Sequence, residues 1–477
     1  GGVNTYRSIN GGVSWTLATQ WWGQLSGVMT VHADKHMHDF HPLTGELFEC
    51  NDGGVYKTRA PQSMLWTDIS NGLGVTQFYR NAVTNAATYV LGGSQDNGTK
   101  GLQGGVWDDL TGGDGMECQA DPIDSNVFYT AIQNGELRRT TNGGNNYTDI
   151  QNNIPGKPSG AWITPYLITP DSNKHLVAGY KHIYFSDDRG SNWMSIQGSD
   201  ITGGNCYRLA MTGGAHPTIY ALFPDTQVVF YSKNFVRGAT TTFDTINVPF
   251  GGNMSDIMAH PTDSGRFYVT FSGYNSTQVA EYNKGLWTQI AIGLPNVPVR
   301  CIEYDSSLSV LYVGTDVGVY YRDTSTNNLW ASFRKNMPSI EVTDLGINYT
   351  TKEIWASTYG RGMWSSVKQG SYVPPPDTTT DTTTYIAVVP YAEDVFGIAP
   401  NPSGGQFKII AGESVSTGKA IMVNIIDYSG RTVLRKETIF DGGRKAEVNI
   451  AGVPPGIYIV ELKDNNTVIG RKRAVIR

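Results

Sequence analysis

The sequence predicts an all-β chain: a seven- or eight-bladed β-propeller followed by a small Ig-like antiparallel β-sandwich. Three observations predict it. A short polar turn recurs along the first 370 residues. Aromatic residues close the repeats at regular intervals. A Pro/Thr-rich tract then separates this array from a second run of short alternating strands.

The turn is clearest at Ser186-Asp187-Asp188-Arg189-Gly190-Ser191-Asn192-Trp193, which reads Ser-x-Asp-x-Gly-x-x-Trp. Ser8 to Trp15 repeats it with Asn10 in the acidic slot, and Thr140 to Tyr147 repeats it with Asn142 there. Each copy follows an alternating apolar stretch and precedes another short strand, which places it on a hairpin. The Asp or Asn accepts backbone N–H bonds, the Gly supplies positive φ, and the aromatic plugs the hairpin onto its sheet. Closing aromatics fall at Trp15, Trp66, Trp107, Tyr147, Trp193, Phe243, Trp287 and Trp330, at intervals of 40 to 51 residues. That spacing fits one four-stranded blade per interval. Seven full intervals result, and an eighth sheet is expected to join residues 342–367 to residues 2–19, closing the ring with both chain ends. The first residues lie in mid-repeat, so the array, residues 1–371, is expected to lack an upstream segment.

The turn resembles the Asp-box (BNR-like) hairpin of sialidases, sortilin-type ectodomains and xyloglucanase-type glycoside hydrolases, where it is a folding device. Because the xyloglucanase-type enzymes use two propellers, a split of these blades between two rings stays open. A sialidase site is not indicated: Arg80, Arg208 and Arg361 are spread over the repeats, and no family signature surrounds them.

Composition agrees with a turn-rich β protein: 56 Gly, 11% aromatic and 16% charged residues. The net charge of −6 argues against a nucleic-acid partner. The charge divides unevenly: residues 386–477 carry 12 Lys/Arg against 9 Asp/Glu, a net of +3, and the rest carries 24 against 33, a net of −9. No run approaches the roughly 18 apolar residues of a transmembrane segment. Cys50, Cys118, Cys206 and Cys301 fall in non-adjacent repeats, and a disulfide needs Cα atoms within about 7 Å, so four unpaired, mostly buried thiols are expected.

Residues 372–393 read as an extended linker, with Pro374-Pro375-Pro376 followed by two Asp-Thr-Thr triplets. The triplets resemble the O-glycosylation sequon of Bacteroidetes, which would place sugars on Thr378 and Thr382; the alternative is a plain spacer. Residues 394–477 hold short strands every 8–12 residues. Within them, Ile398-Ala399-Pro400-Asn401-Pro402-Ser403, Asp427-Tyr428-Ser429-Gly430-Arg431, Gly456-Ile457-Tyr458 and Arg471-Lys472-Arg473 occur in that order. This set resembles the type A C-terminal sorting domain of the type IX secretion system. The resemblance implies a secreted or cell-surface protein exported across the outer membrane, with the outer-membrane secretion machinery as partner. Pro400, Asn401, Pro402, Gly430, Gly456, Tyr458, Lys472 and Arg473 are then the sorting-signal residues.

Candidate chemistry clusters near the start. His32-Ala33-Asp34-Lys35-His36-Met37-His38 places His32, Asp34, His36 and His38 on one face if it is a strand. His32, Asp34 and His36 are the candidate ligands of a divalent metal ion; the competing reading is an internal hydrogen-bond network. Asp52, in Asn51-Asp52-Gly53-Gly54, resembles the catalytic Asp segment of xyloglucanase-type hydrolases, but Gly314-Thr315-Asp316-Val317-Gly318 repeats the pattern. Asp96 and Asp114, with Glu117, sit in Gly-rich segments that resemble exported glycosyl-hydrolase-like repeat proteins of Bacteroidetes; a carboxylate pair there would suit glycoside cleavage, and tight turns are the alternative. Three functions follow: an exported propeller binding a polysaccharide or surface protein, a polysaccharide hydrolase using Asp96, Asp114 or Asp52, or a structural part of a larger adhesin or motility surface protein. The exposed pair Trp21-Trp22 would suit sugar stacking if it lies at the mouth.

Overall fold

The computed structural model describes residues 2–59, 65–86, 89–196, 198, 204–214, 217–233, 242–371, 395–401, 403–412, 415–427, 431–464 and 467–476. The chain divides into two compact units, Gly1–Pro374 and Pro375–Arg477. Regular structure among the described residues is β apart from three short 3-10 turns.

The recurring turn organises the first unit. Ser186 Oγ accepts the Gly190 N–H at 2.8 Å, and Asp188 Oδ1 accepts the Asn192 N–H at 2.8 Å. Thr140 with Asn142 makes the same two bonds at 3.0 Å each, and Ser8 with Asn10 makes them at 2.8 and 2.9 Å. One hydroxyl and one carbonyl or carboxyl oxygen thus satisfy two backbone donors of a tight hairpin, and this fixes the register of the strands on either side.

Seven sheets form a ring. Blades one to six span residues 78–109, 118–149, 166–195, 208–247, 253–289 and 299–332, each a four-stranded antiparallel meander; blade seven, residues 342–367, has three strands. The first strand of each blade is innermost and packs on the first strand of the next. Six apolar clusters each span one pair of neighbours. Tyr89 and Leu91 meet Cys118 and Phe128 between blades one and two, and Tyr312 and Val319 meet Val342 and Ile354 between blades six and seven. Blade seven closes on blade one through hydrogen bonds: Arg80 Nη1 to Thr343 O at 2.9 Å, Asn81 N to Asp344 Oδ2 at 2.8 Å, and Thr343 Oγ1 to Phe78 O at 2.7 Å. Gly346 is required there, because a Cβ would meet Asn81 Oδ1 at 2.5 Å.

The expected eighth sheet does not form. Residues 342–367 form a three-stranded sheet of their own, bridged to Gln77 at Tyr359 and sealed against blade one, while residues 5–30 make another three-stranded sheet, in which Thr16–Gln20 pairs in parallel with Met29–Thr30. Aromatic spacing counts repeats; which repeats close the ring depends on contacts between strands about 260 residues apart. The sheets at 5–30 and 35–68 stand beside the ring. They join each other through Lys35 N to Gly2 O at 3.0 Å and Thr5 Oγ1 to Glu49 Oε2 at 2.7 Å, and they meet blade one through Asn97 Nδ2 to Asp52 O at 2.9 Å. The four cysteines are unpaired, and three of them are buried.

The second unit is a sandwich. Phe396–Ala399, Gln406–Ala411 and Lys445–Asn449 form one antiparallel sheet; Thr432–Ile439, Ala420–Ile426, Gly456–Asp464 and Thr467–Ile476 form the other. Gln406–Ala411 alternates exposed and buried positions, the period of a strand with one wet face. Phe407, Ile409, Ile421, Ile425, Phe440, Val460 and Leu462 share a single apolar core between the sheets.

Candidate functional site: the channel and its mouth

Seven first strands around an axis leave a central channel, and the surface that lines it is mostly polar. Arg80, Gln119, Tyr166, Arg208, Asp256, Glu303 and Asp344, one from each blade, line a cavity of about 290 Å³ together with Glu117. Charges are tolerated here because they pair. Arg80 Nε lies 3.3 Å from Glu117 Oε2, and Arg208 Nε lies 3.2 Å from Asp256 Oδ1. Burial still disfavours the ionised carboxyls. It pushes Glu303 up to about 8, with Asp344 and Asp256 adding repulsion. It pushes Glu117 up to about 7 and Asp344 up to about 6, each against the opposing pull of Arg80.

At one end the channel widens into a mouth of about 450 Å³, and a repeated backbone device builds it. In blades one, five, six and seven the first strand carries one extra residue opposite its partner: Tyr79, Ser255, Arg300 and Thr343 are skipped in the pairing. A β-bulge re-aims the side chain of the extra residue. All four of these residues line the mouth, joined by Arg80, Tyr207, Arg208, Glu341 and Tyr359. The bulged residue often meets the turn between the second and third strands of its own sheet. Arg300 Nε lies 2.7 Å from Asp316 Oδ1, and Tyr79 OH donates to Gln95 Oε1 at 3.1 Å. Tyr359 OH bonds the same Gln95 oxygen, which ties blade seven to blade one across the mouth. The sheet at residues 35–68 repeats the device: His36 is skipped in the pairing, and its Nε2 contacts Asp52 Oδ1. Asp52 therefore occupies the position that Asp316 holds in blade six, the repeat visible in the two sequence segments.

Gln95 also leads to the predicted carboxylates. Ligand oxygens of Asp34, Asp52 and Asp96 lie within 4.8 Å of one another, and Asp114 Oδ1 accepts the Asp96 N–H at 2.8 Å. Asp34 and Asp96 both have left-handed backbone, with φ of 54° and 58°. Burial, then Asp114 and Asp52, raise the Asp96 carboxyl above its ordinary range. The structure thus gathers Asp52, Asp96 and Asp114, which lie in two sheets. Of the residues expected to hold a metal, only Asp34 joins this cluster with a carboxylate. The strand begins at Lys35, His36 turns to Asp52, and His32 Nε2 lies 3.0 Å from the Asp96 carbonyl. Among the described residues, Asp34, Asp52 and Asp96 form a group close enough to hold a cation.

His38 goes elsewhere. Its Nε2 lies 2.7 Å from Glu49, a buried carboxyl that also meets Lys35 at 2.6 Å. Burial would raise Glu49, but the hydrogen bonds from His38, Lys35 and Thr5 hold it down at about 2. Glu117 faces Arg80 in the channel, apart from the carboxylate trio. Trp21 and Trp22 are exposed, 6.2 Å apart edge to face, in the sheet at residues 5–30 outside the ring. Sequence reasoning did not pick out Tyr79, Tyr207, Arg300, Glu341 or Tyr359. A usable signal existed in the charged residue that recurs inside otherwise apolar first strands, at Arg80, Arg208, Asp256, Glu303 and Asp344.

In the sandwich, Asn401 Oδ1 accepts the Val475 N–H at 2.8 Å, which pins the entrance segment to the last strand. Pro400 follows a cis peptide bond. Gly456 opens the strand in which Tyr458 is buried, with its OH donating to Pro454 O at 2.7 Å. Lys472 and Arg473 lie on the final strand, Arg473 opposite Ile459. Arg471 Nε bonds the buried Glu461 at 2.7 Å. Pro402, Gly430, Thr378 and Thr382 lie outside the described residues.

A β-propeller joined to a separate sandwich is the class this geometry defines. Residues 397–477 match the family described as Secretion system C-terminal sorting domain. The chain carries that domain, so it is cargo of the type IX secretion system, exported to the cell surface or beyond, and the domain is the part that meets the secretion machinery. No helix among the described residues is long and apolar enough to cross a membrane. Two similar solved structures are YCF48 bound to D1 peptide (12% identity, TM-score 0.48, covering 63% of this chain and 94% of that one) and YCF48 from Cyanidioschyzon merolae (9% identity, TM-score 0.48, 61% and 95%). No curated protein matches the chain in sequence.

Proposed function

We propose that the ring is a binding module displayed or released outside the cell, and that its ligand, a glycan, enters the channel mouth. One observation carries the reading: bulges in four of the seven first strands turn their extra side chains into a single 450 Å³ cavity walled by Tyr79, Tyr207 and Tyr359. Phenol rings offer flat apolar faces to sugar rings. The Asp-box likeness of the recurring turns fits this reading as a folding device for the blades. Calorimetric titration of the full chain with soluble plant and bacterial oligosaccharides tests it. Tyr207→Ala and Tyr359→Ala are expected to weaken binding about tenfold or more; unchanged affinity in both variants rejects the mouth as the site.

A second reading, glycoside hydrolysis, rests on the convergence of Asp52, Asp96 and Asp114 and on the raised Asp96 carboxyl, the form a general acid needs. Asp96→Asn separates the two. Asn tolerates the left-handed backbone and removes carboxylate repulsion, so the variant is expected to gain about 0.5–1 kcal/mol of stability in urea melts. Under the hydrolase reading it also loses at least about a hundredfold in sugar release. Retained sugar release excludes Asp96 as the acid.

A further inference from the structure

Three guanidinium groups, Arg80, Arg208 and Arg300, line the mouth against one carboxylate, Glu341. In two of them Nε and Nη1 are committed. Arg80 is 7% exposed; its Nη1 serves the Tyr79 and Thr343 carbonyls and its Nε faces Glu117, but its Nη2 has no hydrogen-bond acceptor among the described residues. Arg208 gives Nη1 to the Tyr207 carbonyl and Nε to Asp256. Arg300, farther out, is shared between Asp316 at 2.7 Å and Glu341 at 3.4 Å.

A buried charged donor without a partner is costly, and native proteins rarely keep one without a reason. Asp344, Glu117 and Asp256 offset the Arg80 charge from deeper in the channel, but none of them accepts a hydrogen bond from Nη2. An acceptor arriving through the mouth would bond Nη2, the one nitrogen of the Arg80 fork without a partner among the described residues, and a charge-assisted bond of this kind favours a carboxylate oxygen. The walls beside this fork are Tyr79, Tyr207 and Tyr359, with Glu341 placed to accept from a hydroxyl.

We propose that the ligand of the mouth is a carboxylated sugar of the uronic-acid class, its carboxylate held by Arg80 and Arg208, its ring against the tyrosines and a hydroxyl on Glu341. This deepens the proposed binding function and rests on it. Arg300 draws the anion in from the rim, where a guanidinium steers association.

The test is calorimetric titration of the full chain with digalacturonate, with its methyl ester, and with a tetra-aspartate peptide. The ester keeps the sugar and removes the charge. Digalacturonate is expected to bind about tenfold or more tightly than the ester, with the preference shrinking as salt rises. Arg300→Gln, on a partly exposed side chain, is expected to cost about threefold or more in affinity for the acid and nothing for the ester. Arg80→Lys keeps the charge but loses the Nη2 donor, and is expected to cost about tenfold; melting curves of both variants verify the fold. Equal affinity for acid and ester, or an unchanged preference in Arg300→Gln, overturns the proposal while leaving a neutral-glycan mouth standing. Tighter binding of the peptide than of either sugar overturns the proposal, and so does no binding of any of the three probes; the binding function beneath it falls only if the wider oligosaccharide set also fails to bind.

Discussion

Six junctions of the ring and the seventh are built differently. Between blades one and two, and on through blades six and seven, the contact is an apolar cluster: Leu176 and Tyr129 between blades two and three, Phe267 and Tyr220 between blades four and five. At the seam, blade seven meets blade one through Asn81, Asp344, Thr343 and Arg80. Neighbouring blades are already joined by a short loop, so cohesion alone suffices to hold them. The seam must be found by strands about 260 residues apart, after the closure entropy of the whole ring has been met. Apolar faces tolerate sliding, whereas directional hydrogen bonds admit one register. Tyr79, Tyr359, Thr343 and Glu341 of the mouth all belong to the two blades of the seam or the approach to them.

Three substitutions test the contrast between these junctions. The largest effect is expected at an apolar junction: Leu176→Ala removes a fully buried side chain and should cost about 2–5 kcal/mol in a denaturant melt. A cost below about 1 kcal/mol would mean that these clusters do not hold the blades. At the seam, Asn81→Ala removes the bond from Asn81 Nδ2 to Ser357 Oγ, 2.9 Å long, and should cost about 1–3 kcal/mol. Its distinguishing mark is faster hydrogen exchange in residues 78–83 and 342–348 with little change in blades three and four; uniform acceleration around the ring would show that the seam is no special joint. The third effect concerns pH. Glu303 sits at about 8 in the fold against an ordinary 4.5, so the folded chain keeps a proton that the unfolded chain releases. Stability from this group is therefore fully present below about pH 4.5 and is lost as pH rises to about 8. Glu303→Gln should flatten that decline and gain on the order of 1–3 kcal/mol above pH 8. A variant whose stability falls with pH as steeply as the parent would show that Glu303 is ionised in the channel at neutral pH.

Much of the architecture was legible in the sequence because its signals are local. The turn at Ser186 to Trp193 states its own hydrogen bonds, since a hydroxyl, a carboxyl and a Gly at fixed offsets admit one hairpin geometry. The sorting domain announced itself through short motifs, some with contacts near at hand, as with Tyr458 and Pro454, and one reaching across the fold, from Asn401 to Val475. Ring closure was not legible. The aromatic interval is the same for a sheet inside the ring, such as residues 118–149, and for one outside it, such as residues 35–68. The mouth was hidden for a related reason. Tyr79, Ser255, Arg300 and Thr343 look like ordinary strand positions, and only the register against the second strand shows that each is an extra residue. The carboxylates were found but not their company: Asp52 and Asp96 lie 44 residues apart, in sheets whose contact no local pattern records.

Hydrogen exchange of the full chain, with and without saturating digalacturonate, tests the central claim most directly. The account predicts slower exchange in the segments that carry the bulged residues, 77–81, 253–257, 298–302 and 341–345, and around Tyr207 and Tyr359, with residues 32–52 unchanged. Protection confined to residues 32–52 and 94–115, the loops of the carboxylate cluster, would contradict it and move the site from the ring's mouth to Asp52 and Asp96.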